Sequence, residues 1–108
     1  MNEPQAIAAL GALAQETRLR IVRYLVRCGD DGASAGDIGR VVEATSSRAS
    51  FHLSALENAG LIRSERRSRN TIYRAEFEQL GGLLSFLLSD CCGANPDIRA
   101  CCLREDCC

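Results

Sequence analysis

The apolar period of this chain changes at Gly60. Before it, Ala49, Leu53 and Leu56 recur at i, i+4 and i+7, the spacing of one buried helix face over residues 47–59. After it, Leu61 and Ile62 open a strand running to residue 66, residues 67–70 make a turn, and Ile72 and Arg74 alternate with Tyr73 in a second strand over 71–75. Glycine is the residue that ends a helix in the left-handed conformation, so it belongs at that junction. A short helix running directly into a two-stranded hairpin cannot bury its own apolar face. The remaining helices must cover it.

Those helices are legible upstream and downstream. Residues 7–14 are mostly apolar, with Pro4 tolerable in a first turn, and such a helix suits an interface with a second chain. Leu19, Ile21, Val22, Leu25 and Val26 mark an amphipathic core helix that stops at Gly29. Ser34, with Asp37 three residues on, caps a third helix carrying Ile38, Val41 and Val42, and Thr45 or Ser46 caps the fourth. From Phe77, apolar residues at 77, 80, 83, 84, 87 and 88 keep helical spacing through Gly81-Gly82, a pair that either admits a neighbouring backbone or kinks the helix. With 108 residues, 46% of them apolar, one modest core is available and two are not. The expected fold is mainly α with a two-stranded β-wing, a homodimeric winged helix-turn-helix. Its body spans residues 1–92, and a cysteine-rich tail of low order spans 93–108.

Charge is distributed unevenly behind a formal net charge of -1. Residues 46–74 carry six arginines against two glutamates, whereas residues 75–108 carry two arginines against six acidic side chains. The outer face of the fourth helix is small, polar and basic: Ser46, Ser47, Arg48, Ser50 and Phe51. Serines let a helix approach base edges and phosphates in the major groove, Arg48 can reach a guanine or a phosphate, and Phe51 suits a thymine methyl group. Arg66, Arg67, Arg69 and Asn70 at the hairpin tip form a cationic prong for phosphates or the minor groove. Together they point to double-stranded DNA as a partner. No run of about 18 apolar residues is present, and the start lacks the basic flank of a secretory signal, so a cytoplasmic protein without a membrane partner is expected.

Six of seven cysteines form adjacent pairs, Cys91-Cys92, Cys101-Cys102 and Cys107-Cys108, behind a cysteine-poor body. In a reducing compartment such thiols favour soft metal ligation over disulfides. Adjacent cysteines on a helix point about 100° apart, and the eight residues from Cys92 to Cys101 can fold back far enough to bring a third sulfur. Cys28 ends an apolar helix and suits a structural role. His52 beside the buried stripe suits packing or a hydrogen bond rather than metal ligation.

The segments ETRLRIVRYL, SSRASFHLSALENAGLI and RRSRNTIYRA resemble the ArsR/SmtB winged-helix repressors, over residues 7–90. The resemblance implies a homodimer with its first and last helices at the interface, bound to an inverted-repeat operator and released by an inducer. Many arsenic-responsive relatives place a Cys-x-Cys before the helix-turn-helix, where this sequence has Ala35-Gly36-Asp37. Instead it is similar to members with relocated thiolates, which implies Cys91, Cys92 and Cys101 or Cys102 as ligands for trivalent arsenic as arsenite, or for antimonite or a methylated arsenical. No organic cofactor is expected, nor an enzyme. A thiol-redox or persulfide switch, a zinc or other soft-metal site on the same cysteines, and a thiol-rich metal scavenger remain as alternatives.

Overall fold

A computed structural model describes residues 1–91 and Asp97. Five helices and a small sheet follow in the order α1 (Glu3–Leu13), α2 (Glu16–Cys28), β1 (Ala33–Ser34), α3 (Ala35–Val42), α4 (Ser46–Asn58), β2 (Ile62–Arg67), β3 (Asn70–Ala75) and α5 (Phe77–Ser85). A 3-10 turn over Gly29–Asp31 precedes β1, and α5 continues as a π-helical turn over Phe86–Cys91. Ser34 caps α3 as expected, its hydroxyl accepting from the Asp37 amide at 3.2 Å. The capping box stays half-made, because the Asp37 carboxylate pairs with Arg40 instead.

The change of period at Gly60 has a defined geometry. Gly60 has φ +79°, its amide donates to the Glu57 carbonyl at 2.9 Å, and the Leu61 amide donates to the Leu56 carbonyl at 3.1 Å. This is a Schellman closure, and its accompanying apolar contact joins Leu56 and Leu61, both fully buried. The helix therefore ends by sending the chain straight into the core and out along β2.

The sheet has three strands where the sequence suggested two. Antiparallel β2 and β3 pair from Ile62↔Ala75 to Arg67↔Asn70, and the two-residue β1 adds to the far side of β3 at Ala33↔Tyr73 and Ser34↔Ile72. The hairpin turn shrinks to Ser68-Arg69, with Asn70 inside the ladder and Ser68 alone of the two at positive φ, +54°.

Ile21, Leu25, Ile38, Leu53, Leu56 and Leu61 fill the centre of the core. Leu19 and Val26, expected there, stay exposed because the buried stripe of α2 follows Ile21, Val22 and Leu25. Helix α1 packs through alanines, Ala6, Ala9 and Ala12, and leaves Ile7 (61% exposed) and Leu10 (42%) outside. Helix α5 buries Leu83 and leaves Phe77 and Leu84 outside. The helix runs unbroken through Gly81-Gly82, neither of which is crowded within the chain. Its irregularity comes later, at Phe86.

One backbone position admits no side chain. Gly32 has φ +65°, and a Cβ there would lie 2.5 Å from the Tyr73 carbonyl oxygen and 2.9 Å from atoms of Ile72 and Arg74. Gly29 shares the positive φ, +62°, in open space. Gly32→Ala should destabilise the fold by about 2–4 kcal/mol in urea unfolding, from the backbone penalty and the clash together, while Gly29→Ala should cost about 1–2 kcal/mol from the backbone alone.

Candidate nucleic-acid interface

Helix α4 is held at the front of the molecule by its own cap and by α3. Thr45 is the N-cap, its hydroxyl accepting from the Arg48 amide at 3.3 Å. Glu43 closes α3 in the left-handed conformation, and the Ala44 amide donates to the Gly39 carbonyl at 2.9 Å, so only three residues separate the helices. With Ala49, Leu53 and Leu56 buried, Ser46, Ser47, Arg48, Ser50 and Phe51 all fall on the exposed side. Clefts flank the helix. One of about 480 Å³ runs between α3 and α4 over Tyr73, bordered by Ser46 and Ser50. The other, about 400 Å³, is lined by Gln15, Thr17, Val42, Glu43, Ala44, Thr45, Arg48 and His52.

His52 takes part in a hydrogen bond, in line with its place beside the buried stripe. Its Nδ1 accepts from Arg18 Nε at 3.1 Å. The imidazole pKa lies below its ordinary value, first because of burial and then because the cations of Arg18 and Arg48 disfavour a third positive charge. Glu43 shares the cleft as its acidic member. The α2 periodicity had given no reason to separate Arg18 from Arg20, Arg23 or Arg27. Only the tertiary contact does.

The arginines of the wing divide into two groups. Arg63 pairs with Glu76 at 3.2 Å, and Arg67 with Glu65 at 2.8 Å. Arg74 is buried, 8% exposed, with Nε donating to the Asp30 carbonyl at 2.7 Å and Nη1 3.3 Å from Glu65. These arginines, first Arg67 by its hydrogen bond and then Arg74, hold the Glu65 carboxyl below its usual range. Arg48, Arg66 and Arg69 make no ion pair among the described residues. Strand alternation puts Arg66 on the face of Ser64, whose hydroxyl donates to Glu57 of α4 at 2.7 Å, so Arg66 lies on the α4 side of the wing. Asn70 is exposed beside Arg67.

The arrangement is that of known regulators. The family described as a helix-turn-helix domain matches residues 13–65. The transcriptional regulator YgaV of Escherichia coli K12 is 32% identical over 88 residues, covering 82% of this chain and 87% of that protein. The arsenical resistance operon repressor of Bacillus subtilis 168 is 36% identical over 81 residues, covering 75% and 73%. The structure of an ArsR-like transcriptional regulator from Rhodococcus sp. RHA1 superposes with a TM-score of 0.71 at 26% identity, over 94% of this chain and 92% of that one. The chain belongs to the ArsR family. It is a DNA-binding transcriptional regulator of winged helix-turn-helix type.

The cysteines of this ArsR-family chain are described only in part. Cys28 is half-buried and free, and its hydrogen bond to Tyr24, with burial, raises the Tyr24 hydroxyl pKa. Cys91 closes the π-helical turn, described by its backbone. Cys92, Cys101, Cys102, Cys107 and Cys108 lie outside the described residues, as does the tail expected over 93–108 apart from Asp97. Among the described residues no group of three or more His, Cys, Asp or Glu side chains could hold a metal ion, and no helix is long and apolar enough to cross a membrane.

Two measurements follow from this geometry. Binding to duplex DNA across a salt series should lose roughly 0.9 of slope in log Kd against log salt for each phosphate contact removed by Arg66→Ala or Arg69→Ala. Arg74→Met should leave that slope intact and instead cost about 2 kcal/mol of stability. For pH, a lowered imidazole pKa in the folded state means the neutral form is favoured by folding. Its contribution is complete above the unfolded value of about 6.5 and is lost as pH falls through the folded pKa. The urea midpoint of the parent should drop through that window, and His52→Gln should flatten this part of the profile.

Proposed function

We propose that the chain is a repressor that binds an inverted-repeat operator as a homodimer and leaves it when trivalent arsenic is bound. Ser46, Ser47, Arg48, Ser50 and Phe51 meet the major groove, and Arg66, Arg67, Arg69 and Asn70 meet phosphates or the minor groove. Arg67 contributes less than its neighbours, being shared with Glu65. The second copy is supported by the inverted packing of α1 and by Phe77 and Leu84 of α5. Side chains of this size each gain about 1.5–3 kcal/mol when taken out of water, and here they are left outside on the first and last helices.

The observation that carries the inducer reading is the position of the cysteine pairs. They begin where α5 and its π turn end, at Cys91, in a chain similar to a repressor of an arsenical resistance operon. Cys91, Cys92 and one of Cys101 or Cys102 supply three thiolates, the donor set that arsenite and antimonite take as a pyramid. Release requires that the arsenic-bound dimer favour the DNA-free conformation, and a coupling of about 1–3 kcal/mol is typical of such linkage.

Gel-shift titration with arsenite tests the reading. Cys91→Ser and Cys92→Ser should bind DNA like the parent and stay bound at arsenite concentrations that release it, and Cys28→Ser should respond like the parent. Separate replacement of Cys101 and Cys102 identifies the third ligand. Arsenite release of the Cys91→Ser/Cys92→Ser double variant would sink the assignment, and release by persulfide without metal would replace it with the redox alternative.

A further inference from the structure

Arg18 belongs to α2, behind the surface assigned to DNA, yet its guanidinium reaches two side chains of α4. Its Nε donates to His52 Nδ1 at 3.1 Å, and its Cζ lies 5.6 Å from the centroid of the Phe51 ring. The Phe51 and His52 rings meet edge-on, 5.6 Å apart at 69°. Phe51 is otherwise in the open, 64% exposed, with small serines at 47, 50 and 54 on its side of the helix. A phenyl ring so placed would sample several rotamers unless something held it.

We propose that Arg18 is a positioning residue for base recognition: it fixes the Phe51 ring in the direction in which the ring meets a thymine methyl group of the major groove. The proposal rests on the reading of α4 as the helix that enters that groove, and it assigns a role on α2 that the reading does not contain. A guanidinium suits the task because its plane can lie over an aromatic face while Nε donates sideways to a second ring. A lysine ammonium at the same place keeps the charge but lacks the fixed fork, so it cannot hold both partners in one geometry.

Charge alone would make Arg18 a phosphate contact, and packing alone would make it a brace for α4. Both differ from positioning in what they do to sequence preference. Loss of a phosphate contact or a brace weakens all duplexes alike, whereas loss of the ring's direction weakens discrimination at the thymine that Phe51 touches.

The test uses the full chain and a duplex selected by the parent protein from a randomised pool, with each thymine replaced in turn by deoxyuridine, which lacks only the methyl group. Fluorescence anisotropy of the parent should show about a fourfold loss at one thymine per half-site, the worth of one buried methyl group. Phe51→Ala should abolish that sensitivity. Arg18→Lys and Arg18→Gln should reduce it below twofold, with the parent's thermal midpoint retained within a few degrees and, for Arg18→Lys, the salt slope unchanged. If the Arg18 variants keep the fourfold ratio, or weaken every duplex equally, the positioning role is overturned while the Phe51 contact stands. If Phe51→Ala keeps the ratio, or the parent has none, the contact itself is wrong and the proposal falls with it.

Discussion

The contact between Leu56 and Leu61 across Gly60 is the constraint on which the rest of the molecule hangs. It couples the end of α4 to the start of β2, so the helix and the wing emerge from the same point in the core with a fixed angle between them. Ile21 and Leu25 of α2 and Ile38 of α3 complete that core from the other side. Because the centre is made of one or two side chains from each of α2, α3, α4 and the start of the wing, none of these can move without opening a void. Interiors packed at crystal-like density resist that. The outer face of α4 and the tip of the wing are thereby presented together, and what they touch can be decided by residues that contribute nothing to the core.

The arginines illustrate how one residue type divides between architecture and recognition. Arg74 is drawn inward where the 3-10 turn passes β3, its Nε donating to the Asp30 carbonyl. The Arg63 side chain, opposite Arg74 in register, is relieved of that like charge by Glu76. Arg66 and Arg69 make no ion pair among the described residues. Counting positive residues along residues 46–74 finds the excess of arginine but not how it divides, since solvated, paired and buried arginines look alike in a string of letters.

Legibility followed the same line. The helices, the stop at Gly60 and the hairpin were readable because each is written in local period and turn chemistry; the cap at Ser34 was readable from residue type and spacing, and the cap of α4 was narrowed to Thr45 or Ser46, of which the structure has Thr45. Strand β1 was not: two residues carry no period, and Ala33-Ser34 becomes a strand only because Gly32 lets the chain lie against Tyr73. Leu19 and Val26 share the apolar spacing of α2 yet fall outside its buried stripe of Ile21, Val22 and Leu25, which only the tertiary packing selects. The Arg18 contact spans 34 residues and exists only once α2 and α4 cross. The side chains proposed to face DNA were named from their place opposite the buried stripe and at the hairpin tip, and the cysteine ligands from their pairing and from the family resemblance.

Among the described residues the strand order β1-β3-β2 leaves β2 at the edge of the sheet, the kind of edge to which a second strand can add. Arg63, Ser64, Glu65, Arg66 and Arg67 occupy five consecutive exposed positions on that strand, four of them charged. An incoming strand from another copy would have to bring its own arginines alongside these and desolvate both sets. The same charges that make the surface of the wing positive therefore oppose its growth into a larger sheet.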